Sequence, residues 1–593
     1  MIETSDAGKI MFARRAAFAV LFAVTMTGSL YLAALALSPG GFGFFDIAGL
    51  ILFAFTLPWM VAGFCNALIG FVIMRSSVDP VAKVLPAVGL VREDDPVTAS
   101  TAILLCVRNE LPVRTVRNLE PMLERLCASG YGGRFHLYLL SDTSDPGTAI
   151  QEEALFAELI AVWRDRLAIS YRRRTVNSGF KAGNIRNFCE RWGDRHEFAV
   201  TLDADSFMPA DAIIRLVRIM QVDPRLGILQ GLIVGLPSTS LFARIFQFGM
   251  RLGMRSYTIG SAWWQGDCGP YWGHNAILRL KPFIEHCQLP LLASDGGKES
   301  HILSHDQIEA ALMRAAGYHV RVVPREDLGW EDNPPTLLEF MRRDLRWCQG
   351  NMQYWRLLTL PNLVPVSRYQ LVLAILMFIG SPAWVGLLGL VIAALALCDD
   401  PANIMRPDFG TALIAWVLLM WFSPKIAGAL DVLLAPTERR AFGGAARFTV
   451  NFAIETVYSI VLCPILWISH TIFLFDRLFK RDIHWMGQVR DDHGVPFGLA
   501  MRDLWPQTVV GCLSLGLVMF SQPWALPYIL LLAGGPAFAA PFATITAWPV
   551  LGNLAVRTGI GRLPEETATP DDLLELALPA ISSDSRPPVT GSV

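Results

Sequence analysis

Two carboxylates close the run Ala199-Val200-Thr201-Leu202-Asp203-Ala204-Asp205-Ser206. Spaced i, i+2 after a β-rich apolar stretch, they leave a strand tip together. Two such acids can bind one hard divalent cation and leave its other positions to phosphate oxygens. In open α/β sheets, ligands gather at the carboxyl ends of the strands. Alone, a DxD is as often a turn or a helix cap. It has company. Leu139-Leu140-Ser141-Asp142 also ends a strand in an acid, although Asp145-Pro146 beyond it equally favours a plain turn. Arg108-Asn109-Glu110 ends a third strand. Asn177-Ser178-Gly179-Phe180-Lys181 offers loop amides and an ammonium at a helix start, which suit a diphosphate. Asp306, after Ser304-His305, opens a helix and could simply cap it. Arg342-Arg343-Asp344-Leu345-Arg346-Trp347 is basic and aromatic, and a juxtamembrane anchor would read the same way.

These residues need a scaffold. Short β-rich runs at 102–107, 135–140, 198–202, 227–230 and 320–323 alternate with charged, helix-compatible stretches. That alternation predicts a mainly parallel sheet covered on both faces, as one α/β domain over 93–335. Apolar runs flank it. Residues 1–92 read as a transmembrane hairpin, with spans near 16–38 and 46–74. Residues 336–366 form an interfacial amphipathic segment carrying the Arg-Trp pair. A second membrane region, 367–560, has spans near 369–397, 409–435, 507–521 and 524–549. The stretch 448–476 is apolar but contains Asn451, Glu455 and His470, with basic residues on both sides. It is expected to be a tight hairpin or an interfacial helix. A loop over 480–495 follows, and 561–593 reads as a disordered cytoplasmic tail. Lys9, Arg14 and Arg15 before the first span predict a cytoplasmic N-terminus, and an even number of crossings places both termini there.

Composition agrees. The 593 residues are 53% apolar and 17% charged, with mean hydropathy +0.41, which excludes an ordinary soluble enzyme. The net charge of -2 gives no reason to expect nucleic acid. Ten scattered Cys without a CxxC disfavour zinc and a disulfide scaffold. P-loop and Rossmann strings are absent.

The ordered set of Asp142, Asp203/Asp205, Asp306 and Arg346-Trp347 resembles the processive family 2 glycosyltransferases, which include the cellulose, chitin and hyaluronan synthases. Their pattern is D, DxD, [TE]D and QxxRW. His305 replaces the usual Glu or Thr, and Arg343 replaces Gln. With Cys268-Gly269-Pro270-Tyr271-Trp272-Gly273-His274-Asn275, these departures resemble the branch that makes osmoregulated periplasmic glucans. The resemblance implies a polytopic membrane protein with an inserted cytoplasmic GT-A-like domain, in the bacterial inner membrane. It implies inverting transfer from UDP-glucose, with Mg²⁺ or Mn²⁺ on Asp203 and Asp205, and a linear β-1,2-glucan passed across the bilayer. Asp142, Lys181, Arg343 and Arg346 become UDP-glucose contacts. Trp347, Trp272, His274 and Asn275 become acceptor lining. Asp306 becomes the base, with Asp267 a weaker candidate, and 480–495 takes the position of a gating loop. A periplasmic glucan-modifying partner is implied by the family alone. A lipid-acceptor glycosyltransferase, another polysaccharide synthase, or a nucleotide-sugar-sensing transporter stay open as alternatives.

Overall fold

The structure is a computed structural model that describes residues 2–39, 41–293, 299–397, 404–478 and 490–577. Two long apolar helices, α1 (Ile2–Ala36) and α2 (Phe44–Ser76), lead into an α/β domain. Its strands are β1 (Thr101–Val107), β2 (Phe135–Ser141), β3 (Ala168–Arg173), β4 (Phe198–Asp203), β5 (Ser206–Phe207), β6 (Leu226–Gly231), β7 (Val234–Gly235), β8 (Ala276–Arg279), β9 (Leu292–Ala293), β10 (Glu299–Ser300), β11 (His319–Val323) and β12 (Trp330–Glu331). Its helices are α3 (Pro80–Val84), α4 (Pro112–Ala128), α5 (Pro146–Trp163), α6 (Phe180–Trp192), α7 (Ala210–Val222), α8 (Leu241–Gln265), α9 (Leu280–His286), α10 (Asp306–Ala315) and α11 (Leu337–Asn351).

The main sheet has the order β11-β6-β8-β4-β1-β2-β3, with β8 antiparallel to both neighbours and the other pairs parallel. Strands β1, β2 and β4 are buried on both faces, as their unbroken apolar runs require. All three end on the same edge, so Asp142 and Asp203 share it. A small sheet, β5-β12-β7, pairs Ser206 with Glu331 and so fixes the turn that carries Asp205. All five expected runs are strands. Strand β3 had no apolar run to mark it, because its second half is Tyr171-Arg172-Arg173 on a sheet edge. Strand β8 has only four residues.

The chain continues through α12 (Pro365–Leu397), α13 (Pro407–Leu434), α14 (Pro436–Ala441), α15 (Ala445–Leu478), α16 (Phe497–Ser521), α17 (Leu526–Ala537), α18 (Ala539–Thr546), α19 (Pro549–Thr558) and α20 (Asp571–Ala577). Among the described residues, six helices are long and apolar enough to cross a membrane: α1, α2, α12, α13, α15 and α16. Helices α17 and α18 form a further pair, bent by 60°.

Helix α15 is one continuous helix, so the hairpin expected as one option at 448–476 does not occur. Phe448 meets Phe248 and Tyr458 meets Phe242, both on α8. Further on, His470 bonds Asp344 and Phe473 packs with Cys348, both on α11. Both halves of α15 thus touch helices of the α/β domain, and between them Trp467 stacks on Trp384 of α12 and Glu455 pairs with Lys425 of α13. In the bent pair, Ile529 and Ala533 pack with Leu388 and Leu395 at the far end of α12, and Ala539 and Ala540 return to Leu337 and Phe340.

The tail departs from expectation as well. Residues 561–577 are docked rather than disordered. Glu566 accepts two 2.8 Å bonds from the enclosed Arg244, Glu565 pairs with Arg251 at 2.9 Å, and Asp572 pairs with Arg125 at 2.7 Å. Buried arginines leave no acceptable state without these acids. Residues 578–593 and 480–489 lie outside the described residues.

Helix α8 crosses α2 at two glycines. A Cβ at Gly70 would overlap the Ser256 carbonyl, and one at Gly260 would overlap that of Asn66. Overpacking costs about 1–3 kcal/mol, so Gly70→Leu is expected to lower the melting temperature of the solubilised protein. Gly28→Leu, where nothing stands within 4 Å, should leave it unchanged.

Candidate active site

Strand β4 delivers Asp203 to the edge of the sheet, and Asp205 follows in the turn to β5. Each is already met by a cation. Lys181 pairs with Asp203 and also donates to the Gly273 carbonyl at 2.9 Å. Arg490 pairs with Asp205 and donates to Glu110 at 3.1 Å. Lys181 reaches its place from the first turn of α6. The loop before that helix is tight enough that a Cβ at Gly183 would overlap the Ser178 carbonyl. Burial pushes the Asp203 carboxyl up, but the Lys181 ammonium holds it below the ordinary carboxylate range.

Asp306 is the first residue of α10, and His305 occupies the capping position without a side-chain cap bond. Asp306 is therefore not the helix cap that its sequence context allows. Burial raises its carboxyl above the ordinary value, with His305 the largest opposing influence. His305 is itself bonded to Glu309 at 2.8 Å, and both are buried. Opposite Asp306 lies Gly273, at φ +82°, where a Cβ would come 3.5 Å from that of Asp306. The glycine lets the 273–275 loop approach the carboxylate. His274 stands 3.3 Å from Glu331, and burial pushes it down to about 4, so it is neutral at physiological pH. Asp267 is held between Arg15 and Arg314, the latter at 2.6 Å. Burial alone would raise it, but Arg314 and then Arg15 bring it below the ordinary range, which suits an ion-pair member and not a base.

Helix α11 brings the basic-aromatic segment to the same cleft. Arg343 is almost fully buried, donates to Asn333 at 3.2 Å and lies 4.9 Å over the Trp347 ring. Trp347 is 48% exposed and so leaves a free face. Burial lowers Arg346, with Arg343 adding to that and Asp203 opposing it. Asp344 bonds His470 at 2.6 Å, and His470 bonds Ser381 of α12 at 2.9 Å. A cavity of about 710 Å³ begins beside Trp272 and Gln307, the residue that follows Asp306 in α10. It continues between the apolar helices past Trp384, Trp421, Lys425 and Trp467.

Two expected roles change. Asn275 is wholly enclosed and bonds its backbone to Thr201 and Gly231, so it supports the loop and lines no sugar site. The Asp142 carboxylate is not open. Arg174 forks onto both of its oxygens at 2.7 and 2.6 Å. Arg174, Glu331 and Arg490 are the neighbours that sequence reasoning missed. Only Arg490 carried a signal, as the last residue of the basic stretch assigned to the loop after α15.

Among the described residues, no three His, Cys, Asp or Glu side chains converge on a point that could hold a metal ion. Two carboxylates at a strand tip still fit a hard divalent ion, whose remaining positions phosphate and water would fill. Asp203, with a third of its side chain exposed, is open enough to take one.

Residues 102–287 match the model of glycosyl transferase family 2, and 198–469 match that of glycosyl transferase family group 2. Curated relatives named glucans biosynthesis glucosyltransferase H are 33% identical. The one from Xylella fastidiosa aligns over 557 residues, 91% of this chain and 86% of its own. The one from Pseudomonas paraeruginosa aligns over 540 residues, 88% of this chain and 62% of its own. The chain thus spans under two thirds of the Pseudomonas relatives. A solved mannosyltransferase from Pyrobaculum calidifontis, in complex with GDP-Man and Mn²⁺, is 15% identical over 63% of this chain and 99% of that one, at a TM-score of 0.35.

Proposed function

The chain belongs to the glucans biosynthesis glucosyltransferase H family of the family 2 glycosyltransferases, and from that premise we propose that it polymerises glucose from UDP-glucose and exports the product. The product is a linear β-1,2-glucan, the backbone of osmoregulated periplasmic glucans. The observation that carries this reading is the cavity. It runs from Trp272 and Gln307, the residue after Asp306, into a Trp-lined space between the apolar helices, as a polymer leaving its site of synthesis requires.

Asp306 takes the proton of the acceptor hydroxyl, which attacks the anomeric carbon from the face opposite the leaving diphosphate. The result is a β-glucoside. A carboxylate with raised pKa is the better base, and Asp203 and Asp205 are committed to cations. Asp203 and Asp205 would hold Mg²⁺ or Mn²⁺, which would neutralise charge on the diphosphate. Lys181, Arg343 and Arg346 meet that charge from the protein side. Asp142 acts through Arg174 at the nucleotide end. His274, Trp272 and the free face of Trp347 receive the acceptor sugar. The domain and both termini lie on the cytoplasmic side of the inner membrane, a reading supported by the basic N-terminal flank.

The test is incubation of purified protein with radiolabelled UDP-glucose and Mg²⁺, followed by linkage analysis. Soluble β-1,2-linked oligosaccharide is expected. A glycolipid product would move the chain to the lipid-acceptor class, and UDP-glucose binding without UDP release would make it a sensor. Trp347→Ala is expected to raise the acceptor KM about tenfold, the worth of a stacked aromatic contact, with UDP affinity unchanged. Failure of this variant to insert would make Trp347 an anchor.

A further inference from the structure

The segment from Arg490 to Asp492 is fixed at three points around the carboxylates of the strand tip. Arg490 pairs with Asp205 and Glu110, Asp491 pairs with Arg114 at 3.2 Å, and Asp492 accepts from the Thr239 hydroxyl. Arg114 also pairs with Asp332, whose backbone N–H donates to the Asp205 carbonyl at 3.3 Å. The Arg490 guanidinium is mostly buried, so its charge is little screened by water. It occupies a carboxylate that a divalent ion would need. A cation on that carboxylate and a metal ion beside it repel each other at these distances. Lys181 stands likewise on Asp203, and each cation has a second acceptor, the Gly273 carbonyl for Lys181 and Glu110 for Arg490, but the Arg490 guanidinium stays beside the strand tip on a second acid.

We propose that Arg490 is a built-in competitor for the divalent ion at Asp205, so that the metal binds well only together with a nucleoside diphosphate. This rests on the metal and nucleotide assignments above. The diphosphate supplies what the exchange lacks. It adds negative charge for the metal, and it offers Arg490 a bidentate anion in place of Asp205. Metal and nucleotide then raise each other's affinity by the same factor, as linkage requires. Without nucleotide, Arg490 keeps a partly buried acid paired, and a free metal ion gains little by entering.

The test measures free Mn²⁺ by electron paramagnetic resonance during titration of the full chain, purified in detergent, with and without UDP. In the wild type, UDP is expected to tighten Mn²⁺ binding by a factor within the usual coupling range of about 5–150-fold. Arg490→Gln is expected to tighten Mn²⁺ binding without nucleotide about tenfold and to shrink the gain from UDP. Arg490→Lys, which keeps the charge, should retain the weak nucleotide-free binding, and this separates competition from a folding defect. If Mn²⁺ binding to Arg490→Gln stays within twofold of wild type without UDP, while Asp205→Asn still abolishes the UDP-dependent site, the competition is overturned and the metal assignment stands. If no Mn²⁺ site responds to Asp205→Asn, the metal assignment falls and takes the competition with it.

Discussion

Asp306→Asn should cut glucose transfer by about 10²–10⁴-fold, the usual contribution of a positioned general base, and leave UDP affinity unchanged. The substitution keeps the shape of the side chain and removes its basicity. Asp306 faces the Gly273–His274 loop, whereas the nucleotide end is assigned to the Asp142–Arg174 pair, so that end should not register the loss. The competing explanation is electrostatic support of α10, since an acid in the first turn of a helix stabilises it by about 0.3–1 kcal/mol. That role would appear as a small fall in melting temperature with most turnover retained. The pH profile gives a second reading. The base works deprotonated, and burial raises its pKa above the ordinary value. Activity should therefore fall, as pH is lowered, through a pKa above about 3.9. His305→Gln removes the charge that opposes this rise, so it should shift the same limb to higher pH. Wild-type turnover in Asp306→Asn would move the base elsewhere, and not to Asp267, which is held by Arg15 and Arg314.

What could be read in advance follows from the range of the forces involved. An apolar run that stops at two acids announces a buried strand and its tip, because both signals lie within eight residues. Hence β4 and its DxD were legible, and so was the insertion of one α/β domain between apolar helices. Helix α15 was harder. A side chain facing lipid and one facing α8 have the same polarity, so hydropathy cannot separate crossing from lying flat. Its buried Asn451, Glu455 and His470 were the only clue. The docked tail was illegible for another reason. Glu565 and Glu566 look like solvated charge until Arg244 and Arg251, more than 300 residues earlier, are brought against them. Arg174 escaped notice in the same way, because its partner at Asp142 lies across two strand ends. Asn275 was misplaced because a polar residue beside candidate site residues reads as lining, whereas here its backbone bonds hold it beneath the site.

Asp203→Asn and Asp205→Asn should each lower transfer by at least about 10²–10³-fold, the scale for removing one preorganised electrostatic group from a polar transition state. The two carboxylates are the pair open to a divalent ion at this edge of the sheet, and an amide oxygen is a poor ligand for one. The structural cost must be separated first. Asp203→Asn leaves Lys181 with the Gly273 carbonyl alone, and Asp205→Asn leaves Arg490 with Glu110. Asp203 and Lys181 are both partly exposed, so losing their pair should cost only about 1 kcal/mol, too little to unfold the chain. A ligand defect has its own signature. Activity should recover partly as Mg²⁺ or Mn²⁺ is raised, because weaker binding is overcome by mass action, whereas Asp306→Asn should not respond to metal at any concentration. Excess EDTA should bring the wild type down to the level of the two variants. Full turnover in EDTA would remove the metal from the reaction, and Lys181 and Arg490 would then be permanent partners of Asp203 and Asp205 rather than cations displaced when the substrate arrives.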